Sequence, residues 1–137
     1  MNSVGIIGFG RFGKVLANIL QKGFYIKAYD LNPNDGFHGV EFTDLKSVLK
    51  EKVVFISVPI RHFESVILEI SSKLNDGTTI IDVCSVKKHP VDIMETNLPD
   101  NVGIIATHPM FGPDSFRSNN RLKMMMSDTK DIFDQFN

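Results

Sequence analysis

The stretch that most constrains this chain is Val4-Gly5-Ile6-Ile7-Gly8-Phe9-Gly10-Arg11-Phe12-Gly13, an apolar run that breaks into spaced glycines and restarts with helical periodicity. A buried strand over Ser3 to Ile7 must feed a turn at Gly8. From Phe9 onward Phe12, Val15, Leu16, Ile19 and Leu20 recur on one helical face, so the turn opens an amphipathic helix. Gly8 permits the tight turn. Gly10 keeps a Cβ away from an approaching pyrophosphate, and Gly13 lets the helix lie close on the strand. An anion then meets the backbone N–H groups and positive dipole of the helix N-terminus.

Three glycines can also simply punctuate a turn, and position decides between the two readings. The motif starts at the first possible strand and is followed by a second strand, Phe24 to Tyr29, which ends in Asp30. An acid at that spacing accepts from the hydroxyls of an adenosine ribose. A carboxylate there repels a 2′-phosphate, and Leu31 to Gly36 contains no basic residue, so NAD is preferred to NADP.

The rest of the chain alternates strands with helices. Val53 to Ser57 is a continuous apolar strand ended by Pro59, and a second amphipathic helix starts at Ile60, with apolar Phe63, Val66, Ile67, Ile70 and Leu74. Arg61, His62, Glu64, Glu69 and Lys73 fill its polar face as solvated surface. Weaker elements are a strand at Val40 to Phe42, a helix at Asp44 to Lys50 and a helix at Val91 to Thr96. Thr79 to Asp82 and Gly103 to Thr107 read as buried strands, with Asp82 completing a turn. Leu122 to Met126 reads as a last strand and Asp128 to Phe136 as a closing helix. The pattern predicts one α/β domain of the doubly wound, Rossmann type, a mostly parallel sheet with helices on both faces.

Such a sheet gathers ligands at the carboxyl ends of its strands, where Gly8, Asp30, Ser57, Ser85 and His108 all fall. His108 is the candidate general base, because a neutral imidazole can take a hydroxyl proton at physiological pH. A histidine satisfied by backbone at a strand end, just before Pro109, is the competing reading. Ser85 can orient a substrate hydroxyl or cap the next turn. The expected cofactor-binding set is Gly8, Phe9, Gly10, Arg11, Phe12, Asp30, Ser57, Val58 and Pro59.

Composition closes off other classes. Fifteen basic residues against 16 acidic ones leave no electrostatic footprint for nucleic acid or an anionic membrane. No apolar run spans a bilayer, the four histidines are scattered without metal-ligand spacing, and the lone Cys84 has no disulfide partner. A cytoplasmic location follows from this reading.

Two further strings are specific. Asp82-Val83-Cys84-Ser85-Val86-Lys87 and Thr107-His108-Pro109-Met110-Phe111-Gly112-Pro113, taken with the glycine turn and Ile56 to Pro59, resemble the prephenate and arogenate dehydrogenase family of tyrosine biosynthesis. The second string is similar to the plant-type arogenate branch. The resemblance implies NAD(P)-dependent oxidative decarboxylation of a cyclohexadienyl acid. In it the residue matching His108 takes the proton of the ring hydroxyl, and the one matching Ser85 hydrogen-bonds that hydroxyl. It also implies a following helical domain that forms the dimer and holds the substrate carboxylates, whereas this chain stops at Asn137; oligomeric state stays open. The plant enzymes tend to use NADP, with Ser or Arg where this chain has Asp30. Two other readings remain: a non-catalytic NAD-binding sensor, and a related reductase acting on another small acid.

Overall fold

The computed structural model describes residues 2–32, 36–83, 88–109 and 124–130, with 88, 108, 109 and 124–130 described by backbone. The strands are β1 (Ser3–Ile7), β2 (Tyr25–Tyr29), β3 (Val40–Phe42), β4 (Val53–Ile56), β5 (Thr79–Asp82), β6 (Gly103–Pro109) and β7 (Met124–Lys130). The helices are α1 (Arg11–Leu20), α2 (Leu45–Val48), α3 (Ile60–Ile70) and α4 (Lys88–Asn97). One sheet runs β3-β2-β1-β4-β5-β6-β7, parallel except for the antiparallel β6–β7 pair. The chain therefore starts in the middle of the sheet and reverses direction of growth between β3 and β4, which creates the crevice above β1.

Successive residues of the central strands serve opposite faces, as strand geometry requires. Ile7, Val54, Ile56, Ile80 and Ile104 pack into one cluster with Val48 of α2, Phe63, Ile67 and Ile70 of α3, and Met94 of α4. Ile6, Phe55, Ile81 and Ile105 pack into the other, with Leu16 and Ala17 of α1. Burial on both faces is why these strands read as unbroken apolar runs. No helix among the described residues is long and apolar enough to cross a membrane.

Two expectations from the sequence need correction. Asp82 does not form a turn: it is the last residue of β5, fully buried and paired with Ile56 and Ala106. A parallel strand between two others has its ladder satisfied to its end, and this outweighs the local turn preference of an aspartate. The other concerns Asp128 to Lys130, which belong to β7 and not to a closing helix. β6 would otherwise present an unpaired edge, and β7 covers it from Pro109↔Met124 to Ile104↔Lys130 across a bulge at Ile104/Ile105. The remainder of the expected helix, 131–136, lies outside the described residues.

Candidate functional site

The turn from β1 into α1 is built on contacts that only glycine allows. Gly8 has φ +94°, and a Cβ there would lie 2.7 Å from the Ser57 carbonyl oxygen and 2.8 Å from Val58 Cγ1. The end of β4 thus presses directly on the turn, and Ser57 N–H donates to the Ile7 carbonyl at 2.8 Å. A Cβ on Gly13 would lie 2.7 Å from the Gly8 carbonyl oxygen, so this residue sets how closely α1 sits on β1. Gly10 differs from both. A Cβ there meets nothing within 4 Å, so its missing side chain opens space rather than relieving a contact.

Gly10 is also the N-cap of α1, with no side-chain cap and no acid in the first turn. The positive end of the helix dipole is therefore not offset by a carboxylate of its own helix.

Asp30 closes the other side of the turn. Its Oδ2 accepts from the Phe9 N–H at 2.6 Å and its Oδ1 from the Asn32 N–H at 3.0 Å, while Gly8 N–H donates to the Tyr29 carbonyl at 2.8 Å. These bonds hold the ends of β1 and β2 in one geometry. The Phe9 ring turns away from the opening: it is buried and meets Phe37 and Phe42 edge-on, with centroids 5.3 and 4.9 Å apart. Phe9 thus faces the crevice with its backbone.

Above the turn lies a cleft of about 630 Å³, lined by every residue of the expected cofactor-binding set, Gly8 through Phe12, Asp30 and Ser57 through Pro59. An open position at Gly10, a helix whose first turn holds no acid and an acid fixed at the end of β2 suit a dinucleotide, with phosphates at the turn and a ribose at Asp30. The donor set therefore fits such a group.

The cleft also contains residues that sequence reasoning set aside. Arg61, His62, Val66, Glu69 and Ile70 of α3 form one wall, facing Tyr29, Leu31, Asn32 and Leu45. Arg61, His62 and Glu69 are exposed, as expected, but they border the cleft as well as the solvent. The spacing of His62, Val66 and Glu69, four and then three residues, was the available signal that they share a face. Arg11 and Arg61, from outside the Leu31 to Gly36 segment, line the same cleft as Asp30.

The candidate catalytic residues stand differently. His108 is placed by backbone near the carboxyl end of β6, opposite Met125 of β7. Just before it, the buried Thr107 hydroxyl donates to the Asp82 carbonyl at 2.6 Å, joining the ends of β5 and β6. Ser85 lies outside the described residues, as do Cys84 and the segment 110–123. Among the described residues no group of His, Cys, Asp and Glu could hold a metal ion.

A doubly wound parallel sheet, with a glycine turn opening α1 and an acid closing β2 at the same edge, defines a nucleotide-binding domain of the Rossmann class. The family described as "Prephenate dehydrogenase, nucleotide-binding domain" matches residues 22–122. The chain belongs to that family. Arogenate dehydrogenase 1, chloroplastic, from Arabidopsis thaliana is 35% identical over 120 residues, which cover 82% of this chain and 19% of the relative. Prephenate dehydrogenase from Aquifex aeolicus superposes with a TM-score of 0.73 at 25% identity, covering 96% of this chain and 54% of that one. A second structure of the A. aeolicus enzyme, in complex with hydroxyphenyl propionate and NAD+, has a TM-score of 0.69 at 24% identity and covers 95% and 51%. This chain thus spans about a fifth of the plant relative and about half of each solved chain.

Proposed function

We propose that the chain is the NAD-binding and proton-accepting half of a prephenate or arogenate dehydrogenase, an oxidoreductase that oxidatively decarboxylates a cyclohexadienyl acid. Membership of the family supports the reaction class, and the named relatives include both substrate types. The observation that carries the reading is the gathering of the glycine turn, Asp30 and the end of β6 at one edge of the sheet.

In this reading the Gly8 to Phe12 turn and the N-terminus of α1 hold the pyrophosphate, and Asp30 accepts from the adenosine ribose. Ser57, Val58 and Pro59 form the opposite lip. Asp30 supports NAD over NADP, since a carboxylate at the ribose repels a 2′-phosphate, and the A. aeolicus structure was obtained with NAD+. Bound NAD supplies a hydride acceptor. His108 takes the proton of the substrate hydroxyl, and Ser85 hydrogen-bonds that hydroxyl and keeps it aligned. Loss of carbon dioxide yields an aromatic ring, which drives the reaction forward.

The substrate-clamping and dimer-forming helical domain of the family is part of the same proposal, consistent with the share of the solved chains that this one spans. So is a cytoplasmic location, supported by the single Cys84.

The test is calorimetry of NAD and NADP binding together with NADH formation from prephenate and from arogenate, for the wild type and His108→Ala. Turnover lost in the variant while NAD still binds is the expected result. NAD binding with no turnover of either substrate by the wild type would favour a binding module. No NAD binding would overturn the reading.

A further inference from the structure

Two arginines line the cleft, and both stand where a helix is least served by a cation. Arg11 is the first residue of α1 and Arg61 the second of α3. The first turn of a helix carries the positive end of its dipole, so a carboxylate is stabilising there and a guanidinium is not. Neither helix has an acid in its first turn to offset the arginine. Ion pairs among the described residues join Lys27 to Glu51 and Lys73 to Glu69, and neither arginine takes part in one. The same local rule broken twice at one cleft points to a ligand, rather than to helix stability, as the reason for both side chains.

The paired ends of β1 and β4 bring the two helix starts together. A Cβ on Gly8 would lie 2.7 Å from the Ser57 carbonyl oxygen, and the Ser57 N–H donates to the Ile7 carbonyl at 2.8 Å. From there α1 begins at Arg11 and packs on one face of the sheet, while α3 begins at Ile60 and packs on the other. The arginines therefore flank the glycine turn from its two sides. In NAD the pyrophosphate is the anionic part, so it is what a guanidinium can recognise by charge. Asp30 is fixed beside the turn through its bond to the Phe9 N–H at 2.6 Å, and an arriving diphosphate meets it as a like charge. A guanidinium on each side offsets that repulsion and can bond phosphate oxygens in bidentate fashion.

We propose that Arg61 is a cofactor-binding residue: with Arg11 across the turn, it supplies the counter-charge for the pyrophosphate of bound NAD. The inference rests on the NAD-binding reading above and deepens it by giving a role to a side chain that sequence reasoning leaves on the solvated face of α3. A charge-assisted bond of this kind corresponds to about tenfold or more in affinity.

The experiment is calorimetry of NAD and NADP at low and high salt, with thermal melting, for the wild type, Arg61→Ala, Arg61→Lys and Lys14→Ala. Lys14 is an exposed cation of α1 outside the residues that line the cleft, so its variant controls for net charge. Salt should weaken NAD binding by the wild type, because it screens the clamp. Arg61→Ala should bind NAD about tenfold or more weakly and with a flatter salt dependence. It should melt no lower than the wild type, since a cation leaves the positive end of α3, and a general loss of structure would not give that combination. Arg61→Lys should keep the salt dependence and lose less affinity, because it retains the charge without the bidentate fork. Lys14→Ala should bind NAD as the wild type does. Three results would overturn the role of Arg61 and leave the cofactor reading standing: an unchanged NAD affinity in Arg61→Ala, a loss with the salt dependence intact, or a loss confined to NADP, which would put Arg61 at a 2′-phosphate. If the wild type binds no NAD, both fall together.

Discussion

The Asp30 carboxylate accepts from the backbone N–H of Phe9 at 2.6 Å, linking the acid at the end of β2 to the middle of the glycine turn. The acid is therefore oriented by the protein before any ligand arrives. Asp30→Ala should weaken NAD binding more than about tenfold, since it removes the ribose acceptor and loosens the turn together. It should also narrow the preference over NADP. Calorimetry with both nucleotides measures the two effects at once, and an unchanged NAD affinity would count against a ribose at Asp30.

Gly8 and Gly10 should separate stability from binding. Gly8→Ala places a Cβ against the backbone of Ser57 at a positive φ, so it should cost about 2 kcal/mol or more of stability. Gly10→Ala meets no protein atom and should leave stability within about 0.5 kcal/mol of the wild type. Yet its methyl group occupies the space proposed for the pyrophosphate, and NAD binding should fall by more than about tenfold. Denaturant titration and calorimetry on the two variants give four numbers, and the opposite pattern would mean that the phosphates lie elsewhere.

Phe63 is fully buried where α3 meets β4. Phe63→Ala should cost about 3–5 kcal/mol, among the larger single losses this chain can show. A loss under about 1 kcal/mol would mean that α3 collapses onto the sheet easily and that the cleft wall it forms is soft.

Asp44 caps α2 by accepting from the Ser47 N–H at 2.8 Å, and this bond holds its carboxyl below its ordinary value of 3.8. A depressed folded-state pKa contributes stability that is present above the unfolded value and lost as pH falls through the folded one. The melting-temperature difference between the wild type and Asp44→Ala should therefore be clear near neutrality and shrink as pH falls below the ordinary carboxyl value of 3.8 and through the lower folded-state one. Asp44→Asn, which can also cap, should show a much smaller pH dependence. A difference that is constant across that range would show that the charge of Asp44 plays no part.

The core of this fold was legible in the sequence because a buried parallel sheet writes itself as apolar runs. Ser3 to Ile7 and Thr79 to Asp82 have in the structure the bounds that the sequence pattern sets, as does the weaker edge strand Val40 to Phe42, and the glycine turn identified the crevice. What local pattern could not supply was long-range. The ladder on both sides of Asp82 makes an apparent turn residue a strand end, and the edge of β6 recruits residues 128–130 into β7. The α3 wall was missed for a related reason: Arg61, His62 and Glu69 look like any solvated helix face until the end of β2 and α2 are set opposite them.

The sheet order has one more consequence, for how the chain is made. β1 precedes the other described strands in the chain and lies inside the sheet; β2 and β3 add to one side of it, and β4, β5, β6 and β7 then add to the other in sequence order. Apart from β4, which docks on β1, each new strand docks on the one completed just before it. The growing domain exposes one open strand edge on that side at each stage, and the antiparallel β7 covers that of β6. An arrest of synthesis before β7 would leave the outer edge of β6 unpaired, a template for other chains that β7 covers in the described sheet.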